Sequence, residues 1–287
     1  MPTNSNHECK RDAALRLLGF VVAAAAAIIL IGQVAGLSFG LLGIGPDHVA
    51  AQWLFPVLFS TALLGVTWAA LRTEKSGFAV LGLVPTRRRA AEFGVGFAVA
   101  VVIFSVVAVV RAAAVEAGWT LNPASGARAA LVGLPFTFVL MFSEELIFRG
   151  YAFRKVQTLW GGPVAVVGSS LLFGAYHVVG SNSWGMGAVF LFAMPALGGL
   201  VFGLAALRTG GLALPLGLHL GGNWSGANVF GLGAPEGSAL WTAPVDAAQA
   251  SWLLAPDLLS RLPYLIGVGL LAGAVIAWPR WHRQVAG

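Results

Sequence analysis

Eight apolar stretches, near residues 14–36, 50–71, 90–112, 130–152, 161–180, 186–207, 210–228 and 258–279, take up most of the 287-residue chain. A helix that crosses the hydrocarbon of a bilayer needs about 20 predominantly apolar residues. The runs are long and do not alternate, whereas a membrane β-barrel is built from alternating segments of about ten residues. Lipid offers no partner to an unpaired backbone group, so such runs are expected to be helical throughout. The weakest is the seventh, which is short and carries Pro215, His219 and Asn223. Only 10% of the residues are charged, against about 25% in a soluble domain. The expectation is an all-α, polytopic membrane bundle of about eight transmembrane helices, a single integral membrane domain over 1–287. No internal repeat and no second folded domain is visible. The single cysteine, Cys9, excludes an intrachain disulfide and a cysteine-based metal site.

The net charge of +6 does not point to nucleic acid once the basic residues are located. With the N-terminus in the cytoplasm, fourteen of the 17 lysines and arginines fall on inner segments. Arg111, Arg128 and Arg261 fall on outer ones. This division follows the positive-inside rule and places both termini in the cytoplasm. The first apolar segment has a basic flank like a signal peptide but is longer than the usual cleaved core, and reads as a retained helix. The Arg87–Arg89 run reads as a topology anchor. Trp53, Trp68, Trp160, Trp278 and Trp281 fall near span ends, where indole suits the headgroup region. Within the longest outer connection, 229–257, Asp246–Leu254 is short enough to lie as an interfacial helix.

Ionisable groups inside a membrane span are costly and mark function. Away from span ends the chain holds Glu144, Glu145, Arg149, His177 and His219, with Asn223 as a neutral companion. Glu145 and Arg149 stand at i and i+4 and can pair on one helix face, which reads as an architectural pair. Glu144 is about 100° away around the helix, without a local counter-ion, which suits a general base. Phe173 precedes His177 by one turn. His219 and Asn223 also stand one turn apart, and Gly221 and Gly222 between them permit close helix packing. By rise per residue, Glu144 and His219 come to similar depths below the cytoplasmic end. His177 comes out deeper.

These three motifs, Glu144-Glu145-x-x-x-Arg149, Phe173-x-x-x-His177 and His219-x-x-x-Asn223, resemble those of the CPBP family of intramembrane endopeptidases, the CAAX proteases and bacteriocin-processing enzymes also called the ABI family. The resemblance covers about residues 130–228, the helices that would carry catalysis. It implies hydrolysis of a peptide bond in a membrane-associated protein or peptide. Glu144 would activate water with His177 holding or sharing it, His219 and Asn223 would donate to the oxyanion, and Glu145, Arg149 and Phe173 would support them.

The family is commonly described as metalloproteases, and Glu144, His177 and His219 offer three ligands for zinc with one position open. The chain has no HExxH segment, and Asn223 is a poor zinc ligand but an ordinary oxyanion donor. The metal-free reading is therefore slightly preferred, and zinc stays open. The partners implied are the bilayer and an unidentified protein substrate, with no nucleic acid. Fourteen arginines against three lysines suggest a bacterial source of high GC content, hence a plasma membrane and a substrate without a prenyl group. Two other readings use the same residues, a proton-coupled transporter and a catalytically silent membrane scaffold. Against the transporter stands the lack of a duplicated half with paired broken helices.

Overall fold

A computed structural model describes residues 10–45, 48–114, 120–179, 181, 183–231, 239–242 and 261–279. The stretch Asp246–Leu254 and the basic residues Arg280 and Arg283 lie outside the described residues. The elements are α1 (Lys10–Leu41), α2 (Val49–Thr73), a 3-10 turn (Phe78–Leu81), α3 (Arg87–Ala114), α4 (Pro123–Arg149), α5 (Tyr151–Trp160), α6 (Gly162–Val178), α7 (Met186–Thr209), α8 (Ala213–Trp224) and α9 (Leu262–Ala277). Two-residue strands β1 (Thr120–Leu121) and β2 (Trp241–Thr242) pair antiparallel.

Each of the eight apolar stretches carries a helix, and five segments are long and apolar enough to cross a membrane: Lys10–Leu41, Gln52–Thr73, Arg87–Val110, Pro123–Trp160 and Met186–Thr209. The outward faces agree. Leu15, Leu18, Val22, Ile29, Leu30 and Leu37 of α1 are exposed, as are Val102, Val106 and Val109 of α3. Surfaces this apolar require lipid or a partner to cover them. The chain is an integral membrane protein.

The remaining apolar helices are shorter, and for α8 there is a physical reason. α8 has 12 residues, and every one from Ala213 to Gly222 is buried. Enclosed by other helices, it has no lipid-facing length to match. It lies closely against α3, where a Cβ on Gly217 or Gly221 would run into the carbonyl oxygens of Phe93 and Phe97. Small residues let the two backbones approach, as expected for helix packing in lipid. Its chain then continues into a π-helix, Ser225–Val229.

The sequence reading ran the fourth stretch to residue 152 and left 153–160 as a connection. Instead, α4 ends at Arg149 and α5 begins at Tyr151. Gly150 makes the break: at φ −79° and ψ −129°, a Cβ there would collide with the Leu146 carbonyl oxygen. α5 is amphipathic and buries Tyr151, Phe153, Lys155 and Leu159. The depth of Glu144, counted as if one continuous helix ran to the cytoplasmic end, therefore does not hold.

The core has two main parts. Ala100, Phe173, Val201, Phe202, Leu214, Leu218, Val268 and Leu271 knit α3, α6, α7, α8 and α9. Phe20, Leu63, Leu71, Leu146, Tyr151 and Leu212 join α1, α2, α4 and α5. α4 runs along the seam, with Phe148 packed against the first cluster and Leu146 inside the second.

Polar clasps fix the helix ends. Arg88 Nε and Arg89 Nη1 bind the two oxygens of buried Glu92 at 2.7 and 2.6 Å. The same arginines donate to the Thr209 carbonyl at 3.2 and 3.1 Å, closing the C-terminus of α7 where carbonyls lack helical partners. Part of the Arg87–Arg89 run is thus structural, beyond the anchoring role read from sequence. Glu92, overlooked as a span-end residue, is what lets the two guanidinium groups sit side by side. Glu74 accepts from Lys155 Nζ at 2.7 Å and from the Tyr151 hydroxyl, and pairs with Arg16 at 3.6 Å. It ties α1, α2 and α5 together.

Candidate active site

Glu144 and Glu145 sit in the last turns of α4 and point apart, as adjacent helical positions must. Glu145 has no exposed side-chain surface, nor does Arg149, whose Nη1 lies 3.3 Å from Glu145 Oε1. The pair expected from the i,i+4 spacing is formed. Removing one member of such a buried pair costs about 3–5 kcal/mol, because the other charge is stranded. Arg149 Nη2 also donates to the Gly199 carbonyl at 3.2 Å. Its guanidinium lies 4.5 Å from the Phe173 ring centroid and 5.4 Å from that of Phe202.

The same Glu145 oxygen accepts a second bond, from His219 Nδ1 at 2.8 Å. This contact was not foreseen, and it makes Glu145 more than a partner for Arg149. With Nδ1 held, His219 turns Nε2 toward Glu144, whose Oε2 is 3.7 Å away. That separation is beyond a direct hydrogen bond. Glu144 Oε2 is buried and makes no hydrogen bond among the described residues. His219 is itself clamped, stacked on Phe202 at 4.4 Å and meeting the edge of Phe173 at 5.6 Å.

His177 Nδ1 donates to the Phe173 carbonyl one turn back, at 2.8 Å, which leaves Nε2 as the open ring nitrogen. Its electrostatic influence reaches Glu144, as do those of His219 and Arg149. Phe173 explains its own place in the motif. Its ring, 2% exposed, touches His177 at 4.7 Å, Phe148 at 5.2 Å and the two groups already named. One side chain thereby sets Arg149 and both histidines relative to each other.

A cavity of about 490 Å³ opens onto this cluster, lined by Met141, Phe173, His177, His219, Asn223 and Tyr264 among others. Asn223 is exposed to it, and its amide nitrogen lies 2.8 Å from the Met141 sulfur. Thioether sulfur is a weak acceptor, so the amide is easily redirected to a better one. Thr137 and Asn228 extend the polar lining, with Thr137 Oγ1 donating to Asn228 Oδ1 at 3.3 Å. The π-helix turns Asn228 farther toward the face of His219 and Asn223 than an α-helical continuation would. Such π-bulges occur frequently at functional sites.

The structure thus brings Glu144, Glu145, Arg149, Phe173, His177 and His219 into one cluster, with Asn223 on the cavity beside it. His177 does not lie apart, as its count along the helix suggested. Sequence reasoning missed Phe202, Gly199 and Met141. The glycine pair 198–199 in an apolar helix was the one visible signal. A Cβ on Gly199 would lie 3.0 Å from Arg149 Nη2 and 3.1 Å from Ser170 Cα.

Both imidazoles have Nδ1 engaged, which orients Nε2 for a metal or for a water. Among the described residues, however, no group of three His, Cys, Asp or Glu side chains is placed to hold an ion. Glu144, His177 and His219 as they stand do not form a zinc site.

Comparison with known proteins adds one finding to this geometry. Residues 126–225 match the family model of type II CAAX prenyl endopeptidase Rce1-like proteins. The segment is an Rce1-like domain. The matched residues hold all three motifs, α4 through α8, and leave α1 to α3 and α9 outside. The family is one of peptidases, and the chain is a peptidase. No curated protein and no solved structure matches the chain. The motif-bearing part of the Rce1-like domain coincides with the seam between the two core clusters, so the site is built where α4 meets α6, α7 and α8.

Proposed function

We propose that the chain is an intramembrane endopeptidase that hydrolyses a peptide bond of a membrane-associated protein or peptide with a water activated by Glu144. The observation that carries this reading is a carboxylate with a buried, unsatisfied oxygen 3.7 Å from His219 Nε2, next to a cavity that both His177 and His219 line. The water binds between Glu144 and His177 Nε2. Glu144 takes one of its protons as the oxygen attacks the substrate carbonyl carbon. The carbonyl oxygen becomes an oxyanion and receives the Asn223 amide, which leaves Met141. The tetrahedral intermediate collapses, the C–N bond breaks, and the proton on Glu144 passes to the leaving nitrogen.

Glu145 orients His219 in this scheme: Nδ1 is committed to Glu145 at 2.8 Å, and Nε2 is turned toward Glu144.

The finer topology proposed is eight crossings with both termini cytoplasmic, in a bacterial plasma membrane. Contacts between connections support it. Arg16, Glu74 and Lys155, all assigned to the inner side, meet one another. So do Arg88 and Thr209, and Arg208 and Trp278. The outer connections meet through Leu121 and Trp241.

Cleavage of a defined peptide library by protein reconstituted in liposomes, compared with Glu144→Gln, tests the reading. Products that appear with the parent chain and vanish with the variant are expected. Equal cleavage by both would overturn it.

A further inference from the structure

A second cavity, of about 170 Å³, is lined by Arg149 where the end of α4, α5 and the end of α7 come together. Its polar lining is Arg149, Arg154, Gln157 and Arg208 with the chain at Thr209 and Gly210. Three arginines line this one small pocket, and among the described residues no carboxylate lines it. The carbonyl oxygens of Thr209 and Gly210 would ordinarily repel an anion. Here they are covered by the guanidinium groups of Arg88 and Arg89, which replaces partial negative charge with positive.

Two further observations separate this pocket from a set of topology-setting arginines. Such anchors reach outward to headgroups and water, each on its own. These line one small pocket together, with Arg208 also donating to the Trp278 carbonyl at 3.4 Å. Arg149 is buried, and its Nε–H makes no hydrogen bond among the described residues. Its Nη1 and Nη2 are occupied by Glu145 and Gly199. A buried charged donor without a partner in a pocket rich in arginine is short of an acceptor with several oxygens.

We propose that this pocket binds a phosphate group, held by the forked guanidinium donors of Arg154 and Arg208 with the Gln157 amide beside them. Planar forks suit phosphate oxygens better than point charges do. A phospholipid headgroup and free inorganic phosphate share this chemistry. The pocket sits at a helix end in a chain embedded in lipid, where basic pockets between helices take anionic headgroups. The proposal does not depend on the catalytic reading.

The test is a melting curve of the purified full chain in nanodiscs. Discs of phosphatidylcholine alone are compared with discs containing phosphatidylglycerol, and a third arm adds inorganic phosphate to phosphatidylcholine discs. A ligand that binds only the folded state raises the melting temperature. A rise of several degrees is expected with phosphatidylglycerol, and the double variant Arg154→Gln/Arg208→Gln should lose most of it. Arg87→Gln, an exposed arginine outside the pocket, should keep the full rise. If the double variant does not fold, Arg208→Gln alone decides, by the same loss. A rise with inorganic phosphate alone, lost in the same variant, makes the site one for the free anion. No rise in either arm, or a rise undiminished in the arginine variants, overturns the proposal.

Discussion

One oxygen of Glu145 serves both Arg149 and His219, and this double use separates the two neighbouring glutamates experimentally. Glu145→Gln should lower the melting temperature, since Arg149 is stranded at a cost of about 3–5 kcal/mol. It should also cost activity, because His219 loses the acceptor that orients it. Glu144→Gln should abolish cleavage without lowering the melting temperature, because Glu144 Oε2 holds no hydrogen bond to lose. Thermal unfolding in detergent beside a cleavage assay separates the cases, and an active Glu144→Gln would reverse the assignment. Asn223→Ala should slow turnover on the order of 10²–10³-fold with little change in KM, the usual cost of one oxyanion donor. Zinc below one equivalent per chain by elemental analysis, with cleavage unaffected by chelator, is the outcome expected from the donor placement. One tightly held zinc, lost in His177→Ala, would contradict it.

At the scale of elements, the α3–α8 contact rests on glycines at 217 and 221 that face carbonyl oxygens. Gly217→Leu should force the helices apart and lower stability by about 1–3 kcal/mol, the range for overpacking. Activity should fall with it, since α8 carries His219 and Asn223. Stability equal to the parent's would show that the contact is looser than described. The helices themselves were legible from apolar runs, and Glu145–Arg149 from helical spacing. α5 was not, because it follows α4 after a single glycine and its amphipathic pattern is submerged in a longer apolar run. The bond from Glu145 to His219 was invisible as well. It spans 74 residues, and no local periodicity carries information about which helix will face which. Gly221 was read correctly as a packing residue because its neighbours were motif residues, while Gly199 stood among none.

For the molecule as a whole, the proposed eight-crossing topology can be tested without any substrate. Reporter fusions after residues 40, 120 and 240 should read as external, and fusions after 80, 157 and 287 as internal. An external reading after 287 would mean that one of the short helices α6, α8 or α9 does not complete a crossing. The shortness of α8 is not in itself an obstacle, since its whole length from Ala213 to Gly222 is enclosed by protein.

Gly199 lies on a helix that carries none of the three motifs, yet its missing side chain is the space in which Arg149 sits. Inspection of motifs alone would therefore pass as intact a chain in which this glycine had become valine. Such a chain would keep every acid, base and amide of the site and still lose the seat of the guanidinium that holds them. Silent members of a peptidase lineage need not announce themselves by a missing nucleophile or base. They can arise from the gain of a few carbon atoms at a position where the working enzyme has none.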